Sequence, residues 1–67
     1  MKYSLLEVVQ LQQDFPNCSL CRGSTGTVID TYMAPHEAYE VEFCDDRGVT
    51  IALLTLRPEQ LRSISNL

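Results

Sequence analysis

The sequence of 67 residues contains no tryptophan, one lysine, one histidine and no long hydrophobic run. Because no apolar stretch approaches the roughly 18 residues of a membrane-spanning helix, we expect no transmembrane segment and no membrane partner. The first residues combine one lysine with neither a long apolar stretch nor a small-residue cleavage site, so they do not predict a signal peptide. We therefore expect a single domain over residues 1–67, located in the cytoplasm.

Positive charge is also scarce. Five basic residues stand against nine acidic residues, which gives a net charge of −4. The four arginines are spread along the chain and form no basic stripe, which argues against strong binding to nucleic acid. Apolar residues make up 45% of the chain, enough for a globular domain. A core in so short a chain supplies only about 3–5 kcal/mol of net stability.

The cysteines are few and odd in number: Cys18, Cys21 and Cys44. Three cysteines exclude a complete disulfide framework within one chain and favour free thiols. Together with His36 they are four possible zinc ligands, and a small structural zinc protein is our second alternative. We nevertheless predict no metal site, because strong zinc signals have two close pairs and His36 stands eight residues from Cys44. The cysteines are better interpreted as small, half-buried hydrophobic residues.

Glycine and proline divide the chain into short apolar segments, which predict strands rather than helices. Residues 5–11 are ambiguous, since Ser4 followed by Glu7 fits a helix capping box while Val8 and Val9 favour a strand. We prefer the strand. Residues 14–25 are predicted to be a connection anchored by Leu20, and residues 27–33 a second strand.

The clearest strand pattern lies at residues 39–43, where apolar residues alternate with Glu40 and Glu42. This period of two places one face in the core and the carboxylates in water. Residues 45–48 predict a hairpin turn in which Gly48 adopts a positive φ. Residues 49–56 are apolar at both odd and even positions, which predicts a central strand buried on most of both faces.

The chain closes with Pro58, which suits the first position of a helical turn over residues 58–61. This turn is expected to return Leu61 and Ile64 to the core, and residues 63–67 to add a brief last strand. Without helices to cover a sheet, strands this short must close on themselves. The sequence therefore predicts an all-β, small SH3-like barrel of about five short antiparallel strands, similar to the KOW barrels.

Several motifs resemble a widespread family of small bacterial proteins, abundant in cyanobacteria, that is classed as a domain of unknown function. The resemblance covers nearly the whole chain, and its most specific part pairs Gly23-x-x-Gly26-Thr27-Val28 with Tyr39-Glu40-Val41-Glu42-Phe43. It implies an SH3-like barrel without catalytic residues. It also implies a partner-binding or antitoxin-like role, as an accessory to a protein encoded nearby.

The stretch from Gly23 to Val28 is also similar to the KOW motif of ribosomal and transcription-factor barrels, so an RNA-binding KOW-like barrel is our first alternative. Its Gly-x-x-Gly element occurs in KH domains too, where the loop clamps a nucleic-acid backbone in a basic setting. Here the element precedes a strand in an acidic chain. We expect Gly23 and Gly26 to provide turn geometry and close packing instead.

For enzymatic activity the sequence offers little. His36 is the only histidine, it lies in a proline-containing turn, and no Asp or Asn is placed to orient it toward a nucleophile such as Cys44. No lysine follows the glycines as a phosphate-binding loop requires. We therefore expect no enzyme and no cofactor.

The acidic residues are clustered, with five of the nine within ten residues. On a hairpin they would share one edge and its loop, and would steer a protein partner with a basic surface. Tyr32 and Tyr39 are expected to flank this region as amphipathic contact residues. An exposed barrel edge could add a partner strand or pair with a second copy. The acidic candidates for partner binding are Glu37, Glu40, Glu42, Asp45 and Asp46.

Overall fold

The computed structural model of the chain describes residues 2–64 and contains five strands: β1 (Val8–Leu11), β2 (Thr25–Tyr32), β3 (Ala38–Cys44), β4 (Thr50–Leu56) and β5 (Leu61–Ser63). They form one antiparallel sheet in the order β4-β3-β2-β1-β5. The described residues also contain two short 3₁₀ turns, Pro16–Cys18 and Pro58–Gln60. The predicted all-β class, the number of strands and the helical turn after β4 are confirmed.

The core lies on one face of this sheet. The described part of the chain contains no α-helix that could cover this face. The sheet must therefore curl around its own buried side chains, as the predicted small barrel does. The alternation in β3 is confirmed, since Tyr39, Val41 and Phe43 are all buried. Leu20 anchors the connection between β1 and β2, as expected. The buried residues are Tyr3, Val9, Leu11, Leu20, Val28, Tyr39, Val41, Phe43, Leu56 and Leu61.

Residues 4–7 form a single turn that leads into β1. The Glu7 carboxylate accepts a hydrogen bond from the backbone N–H of Ser4 at 3.0 Å, and the Glu7 N–H donates to the Ser4 carbonyl at 3.1 Å. Leu6 has a φ of 68°, in the left-handed region, so the chain reverses here and does not continue as a helix. The predicted strand over residues 5–11 is confirmed for Val8–Leu11, whereas residues 5–7 belong to the turn, which corresponds to the capping-box pattern.

Gly26 lies buried in β2, where the neighbouring strand leaves no room for a side chain. A Cβ atom at this position would lie 2.7 Å from side-chain carbons of Phe43 and Val41, and 2.9 Å from the carbonyl oxygen of Glu42. Gly23 has a φ of 92° and open space around it. The two glycines thus have the two roles that the sequence predicted, close packing at Gly26 and turn geometry at Gly23.

The turn between β3 and β4 follows its prediction. Gly48 has a φ of 80°. The Asp45 carboxylate accepts hydrogen bonds from the N–H groups of Arg47 at 2.8 Å and Val49 at 3.0 Å. The short polar side chain of Asp45 therefore holds the backbone of the turn, as is usual for Asp at such positions.

The prediction that residues 49–56 form a central strand was wrong, because β4 is an edge strand of the sheet. Ala52, Leu54 and Leu56 face the core, whereas Val49, Ile51 and Leu53 are 54%, 50% and 53% exposed. The apolar residues at odd positions suggested that another part of the chain packs on the side of β4 away from the core. Within the described residues no element does so. Ile64 was also expected in the core and is exposed instead. The last strand was predicted over residues 63–67, but β5 begins earlier, at Leu61, and ends at Ser63, so the two share only Ser63. Residues 65–67 lie outside the described part of the chain.

Candidate protein-binding surface

The side of the sheet that points away from the core carries three carboxylates on neighbouring strands. Asp30 of β2 lies directly opposite Glu40 of β3, and Glu42 follows two residues later on the same side. We call these three residues the acidic face. Like charges directly opposite each other destabilise a strand pair. Within residues 2–64, the ion pair closer than 4 Å joins Arg57 to Glu59, so the acidic face is not neutralised.

Hydroxyl groups from β4 orient two of these carboxylates. Thr55 donates a hydrogen bond to Glu40 at 2.6 Å, and Thr50 donates one to Glu42. A hydrogen bond from a neutral hydroxyl fixes the position of a carboxylate without cancelling its charge. The acidic face therefore keeps its negative charge and holds at least two of its carboxylates in defined positions.

An open groove of about 350 Å³ adjoins the acidic face. Its walls include Tyr32, Pro35, His36, Thr55 and Arg57, and Thr55 is the same residue that binds Glu40. Partial desolvation raises the pKa of the Tyr32 hydroxyl, and the nearby carboxylates of Asp30 and Glu40 raise it further. The groove thus places an aromatic ring and apolar walls beside the acidic face.

The positive charge in the groove wall is already engaged. The Arg57 Nε donates a hydrogen bond to the Glu59 carboxylate at 2.8 Å, and both side chains are more than half exposed. The charges that remain unpaired beside the groove are therefore the carboxylates of the acidic face, and these are what an approaching partner would contact.

Tyr39 was expected to contact a partner, and this was wrong, because its side chain is fully buried. Its hydroxyl accepts hydrogen bonds from the N–H groups of Lys2 at 2.9 Å and Tyr3 at 3.1 Å, and donates one to the Glu37 carboxylate. The Tyr39 ring packs edge-on against Tyr3, with centroids 5.2 Å apart. Tyr39 and Glu37 therefore hold the first described residues of the chain against the barrel.

The five clustered acids do not form one patch. Strand β3 separates Glu37 from Asp45 and Asp46 by about 20 Å, at roughly 3.3 Å per residue. Asp45 holds the turn after β3, and Asp46 is exposed in the same turn. Of the predicted acidic residues, only Glu40 and Glu42 lie together on the acidic face.

The pKa of the Glu37 carboxyl group is lowered, chiefly by the hydrogen bond from Tyr39 and next by that from the Lys2 N–H. Burial raises the pKa of the Tyr39 hydroxyl, and the hydrogen bond to Glu37 raises it further. A lowered folded-state pKa favours the charged carboxylate, so the stability contributed by Glu37 is present above its ordinary pKa of 4.5. It is lost as the pH falls through the lowered value.

We predict that Tyr39→Phe destabilises the domain by about 1–3 kcal/mol, because the buried N–H of Tyr3 loses its acceptor. It should also reduce the loss of stability as the pH falls from about 5 through the lowered pKa of Glu37, because Glu37 loses the main cause of that lowered pKa. Urea denaturation across this pH range measures both effects. Tyr32→Phe is the matched control and should change neither, and an unchanged acid dependence in Tyr39→Phe would contradict the assignment.

The cysteines do not assemble with His36. Cys18 is half-buried and packs against the core, whereas Cys21 and Cys44 are exposed. Within the described residues, no three His, Cys, Asp or Glu side chains lie close enough to hold a metal ion. The interpretation of the cysteines as half-buried hydrophobic residues thus holds for Cys18 alone.

Sequence reasoning missed Asp30 and the exposed apolar side of β4. Asp30 follows an irregularity in the pairing of β2 with β3, between Val28 and Asp30. Simple alternation from Val28 would turn residue 30 toward the core, so a period of two could not place it beside Glu40. The only signal in the sequence was an acidic residue, Asp30, directly after the β-branched residues Val28 and Ile29 of the predicted second strand.

Comparisons with known proteins place the chain in a family without establishing its activity. No curated protein and no solved structure matches it. No helix among the described residues is both long and apolar enough to cross a membrane. The family described as a domain of unknown function, DUF4926, matches residues 5–63. The chain therefore belongs to the DUF4926 family.

Proposed function

We propose that this domain is a non-catalytic interaction module that binds a protein with a basic surface through the acidic face and the adjoining groove. The observation that carries the proposal is the pairing of Asp30 directly opposite Glu40 with no cation beside them in the described chain. An isolated domain gains nothing from this arrangement, since like charges opposite each other lower its stability. A basic partner would relieve the repulsion and would be steered to the face.

The groove provides apolar surface for a partner, which the charged residues of the acidic face do not. Interfaces combine a buried apolar or aromatic anchor with a polar rim, and surface charges contribute more to steering than to affinity. Tyr32 and Pro35 line the groove, and Thr55 joins it to Glu40. The surface suits a segment with one apolar side chain for the groove and lysine or arginine beside it.

The arrangement of candidate nucleophiles supports a non-catalytic role. His36 precedes β3 and Cys44 ends it, so the strand separates them by about 20 Å. A Cys–His pair requires hydrogen-bond contact of roughly 3 Å between the two side chains. We further propose that the partner is encoded beside this chain, in an accessory or antitoxin-like arrangement, as the family resemblance implies.

The double substitution Asp30→Asn/Glu40→Gln separates stability from binding. Both amides keep the oxygen acceptors that Thr31 and Thr55 use. The variant should be more stable by a few tenths of a kcal/mol at low salt, because the repulsion is removed. It should retain its partner about five- to tenfold less well, because two charge pairs are lost.

The measurement is affinity capture from the native host at low salt, with quantitative mass spectrometry and a parallel denaturation series. Asp14→Asn/Asp46→Asn removes the same charge elsewhere and should leave capture unchanged. Equal loss in both variants would contradict the proposal. Clear binding of RNA at moderate salt in a gel shift would favour the KOW-like alternative instead.

A further inference from the structure

Four neighbouring positions on the outer side of the sheet form one small site where the groove meets the acidic face. In the pairing of β2 with β3, Asp30 lies opposite Glu40, and Tyr32 lies opposite Ala38. Because side chains two residues apart on a strand point to the same side, all four share the outer side of the sheet. Directly opposite residues have Cβ atoms about 4.5–5.5 Å apart, so one long side chain laid along the strands spans the site.

Ala38 leaves space beside the aromatic ring of this site. Ala38 and Tyr32 both line the groove, and the Tyr32 side chain is 38% exposed. A partly exposed ring next to a small residue offers a surface on which a planar group can stack. Beyond partial desolvation, the carboxylates of Asp30 and Glu40 raise the pKa of the Tyr32 hydroxyl, so both acidic groups lie near the ring.

Each carboxylate of the site keeps one oxygen for a partner. Asp30 Oδ1 accepts a hydrogen bond from the Thr31 N–H at 2.8 Å, and Glu40 Oε1 accepts one from the Thr55 hydroxyl at 2.6 Å. Among residues 2–64, no donor binds the second oxygen of either group. An ionised carboxylate only accepts hydrogen bonds, so the group that completes this site must bring several donors.

We propose that the site takes an arginine side chain of the basic partner, with its guanidinium at the free oxygens of Asp30 and Glu40 and its plane against the Tyr32 ring. The apolar stem of the arginine then lies over Ala38. A guanidinium is planar, carries its donors in a fixed fork, and stacks on aromatic faces, whereas a lysine ammonium is compact and strongly hydrated. The inference rests on the proposed function and narrows its basic partner to one residue type.

The arginine of the groove wall, Arg57, does not neutralise this site. Thr55 lies opposite Glu40, and Arg57 follows two residues later, about 7 Å further along the chain. The Arg57 Nε also donates its hydrogen bond to the Glu59 carboxylate at 2.8 Å. Two carboxylates therefore lie at the position of the bound guanidinium, while the base in the wall is more distant and already paired.

Titration of the full chain with capped peptides at low salt, followed by NMR of the backbone amides, tests the choice of arginine. The peptides share a leucine for the groove and differ in the next residue, which is arginine, lysine or citrulline. The arginine peptide should shift the amides of Asp30, Tyr32 and Glu40 and bind at least about fivefold more tightly than the lysine peptide. Citrulline has nearly the same shape without the charge and should leave these amides unchanged.

Tyr32→Leu separates stacking on the ring from attraction to the carboxylates. It should reduce the preference for arginine over lysine to less than about twofold, because both cations keep the carboxylates but the guanidinium loses its stacking surface. Met33→Ala is the matched control, since Met33 is the next residue, is 71% exposed and does not line the groove. This control should keep the preference of the wild type.

Equal affinity of the wild type for the arginine and lysine peptides would overturn this inference and leave the proposed function standing. A preference for arginine that survives Tyr32→Leu would overturn it as well, because the ring would not be what selects the guanidinium. If neither basic peptide shifts the amides of the site, the inference also fails. Capture of the host partner by Asp30→Asn/Glu40→Gln then judges the proposed function separately.

Discussion

Replacing Gly26 with valine is expected to unfold the domain. A Cβ atom alone at this position would lie 2.7 Å from carbons of Phe43 and Val41, closer than real Cβ contacts come. It would also lie 2.9 Å from the Glu42 carbonyl oxygen, and this backbone atom cannot retreat without disturbing the pairing of β2 with β3. The Cβ of alanine alone costs about 1–3 kcal/mol by overpacking. Valine adds two further methyl groups, so its total cost should exceed the roughly 3–5 kcal/mol of net stability that the core supplies.

Circular dichroism and urea denaturation measure this effect. Gly26→Ala should retain a cooperative transition at reduced stability, and Gly26→Val should show none. Gly48→Asn is the matched control, because Gly48 has a positive φ, which asparagine tolerates, and open space around it. A cooperative transition near that of the wild type in Gly26→Val would show that β3 can move away from this site.

Replacing Tyr3 with alanine is expected to cost about 3–5 kcal/mol, the usual range for deleting a large buried aromatic side chain. Tyr3 is 1% exposed and packs edge-on against Tyr39, at an angle of 76° between the rings. The substitution would leave a cavity beside Tyr39 that the chain before β1 cannot fill. Since the loss equals the whole expected stability, Tyr3→Ala should lack a cooperative transition at room temperature.

Two controls separate ring packing from other effects at Tyr3. Tyr3→Phe keeps the ring and should cost less than about 1.5 kcal/mol, as volume-conserving core changes do. Tyr32→Ala removes an equal side chain from the exposed wall of the groove and should cost less than about 1 kcal/mol. A Tyr3→Ala variant as stable as Tyr32→Ala would place Tyr3 outside the cooperative unit.

Local patterns predicted those parts of the fold that depend on local chemistry. The alternation at residues 39–43 placed β3 correctly, and Asp45 with Gly48 predicted the turn because short-range hydrogen bonds and φ preferences decide it. The position of β4 in the sheet was not predictable in this way. A strand with apolar residues on both faces is compatible with a central position or with an edge that pairs with another chain.

The candidate surface was less predictable than the fold. The alternation that buried Val41 and Phe43 also required Tyr39 to face the core, yet its hydroxyl suggested a surface contact. Clustering in sequence joined Glu37 to Asp46, although an extended strand separates them. The pairing of Asp30 with Glu40 depends on strand register and on the irregularity after Val28, and both are tertiary properties.

Because Tyr3 is buried, the residues before β1 must be included when this domain is fused to another protein. The match to the family covers residues 5–63, yet Tyr3 lies before this span and its ring completes the core. Grafting only the matched span into another protein would leave Tyr39 uncovered and remove the backbone donors of Lys2 and Tyr3 from its hydroxyl. A functional graft should therefore join its linker ahead of Lys2. In other members of the family, we expect a buried aromatic residue equivalent to Tyr3 just before the matched span.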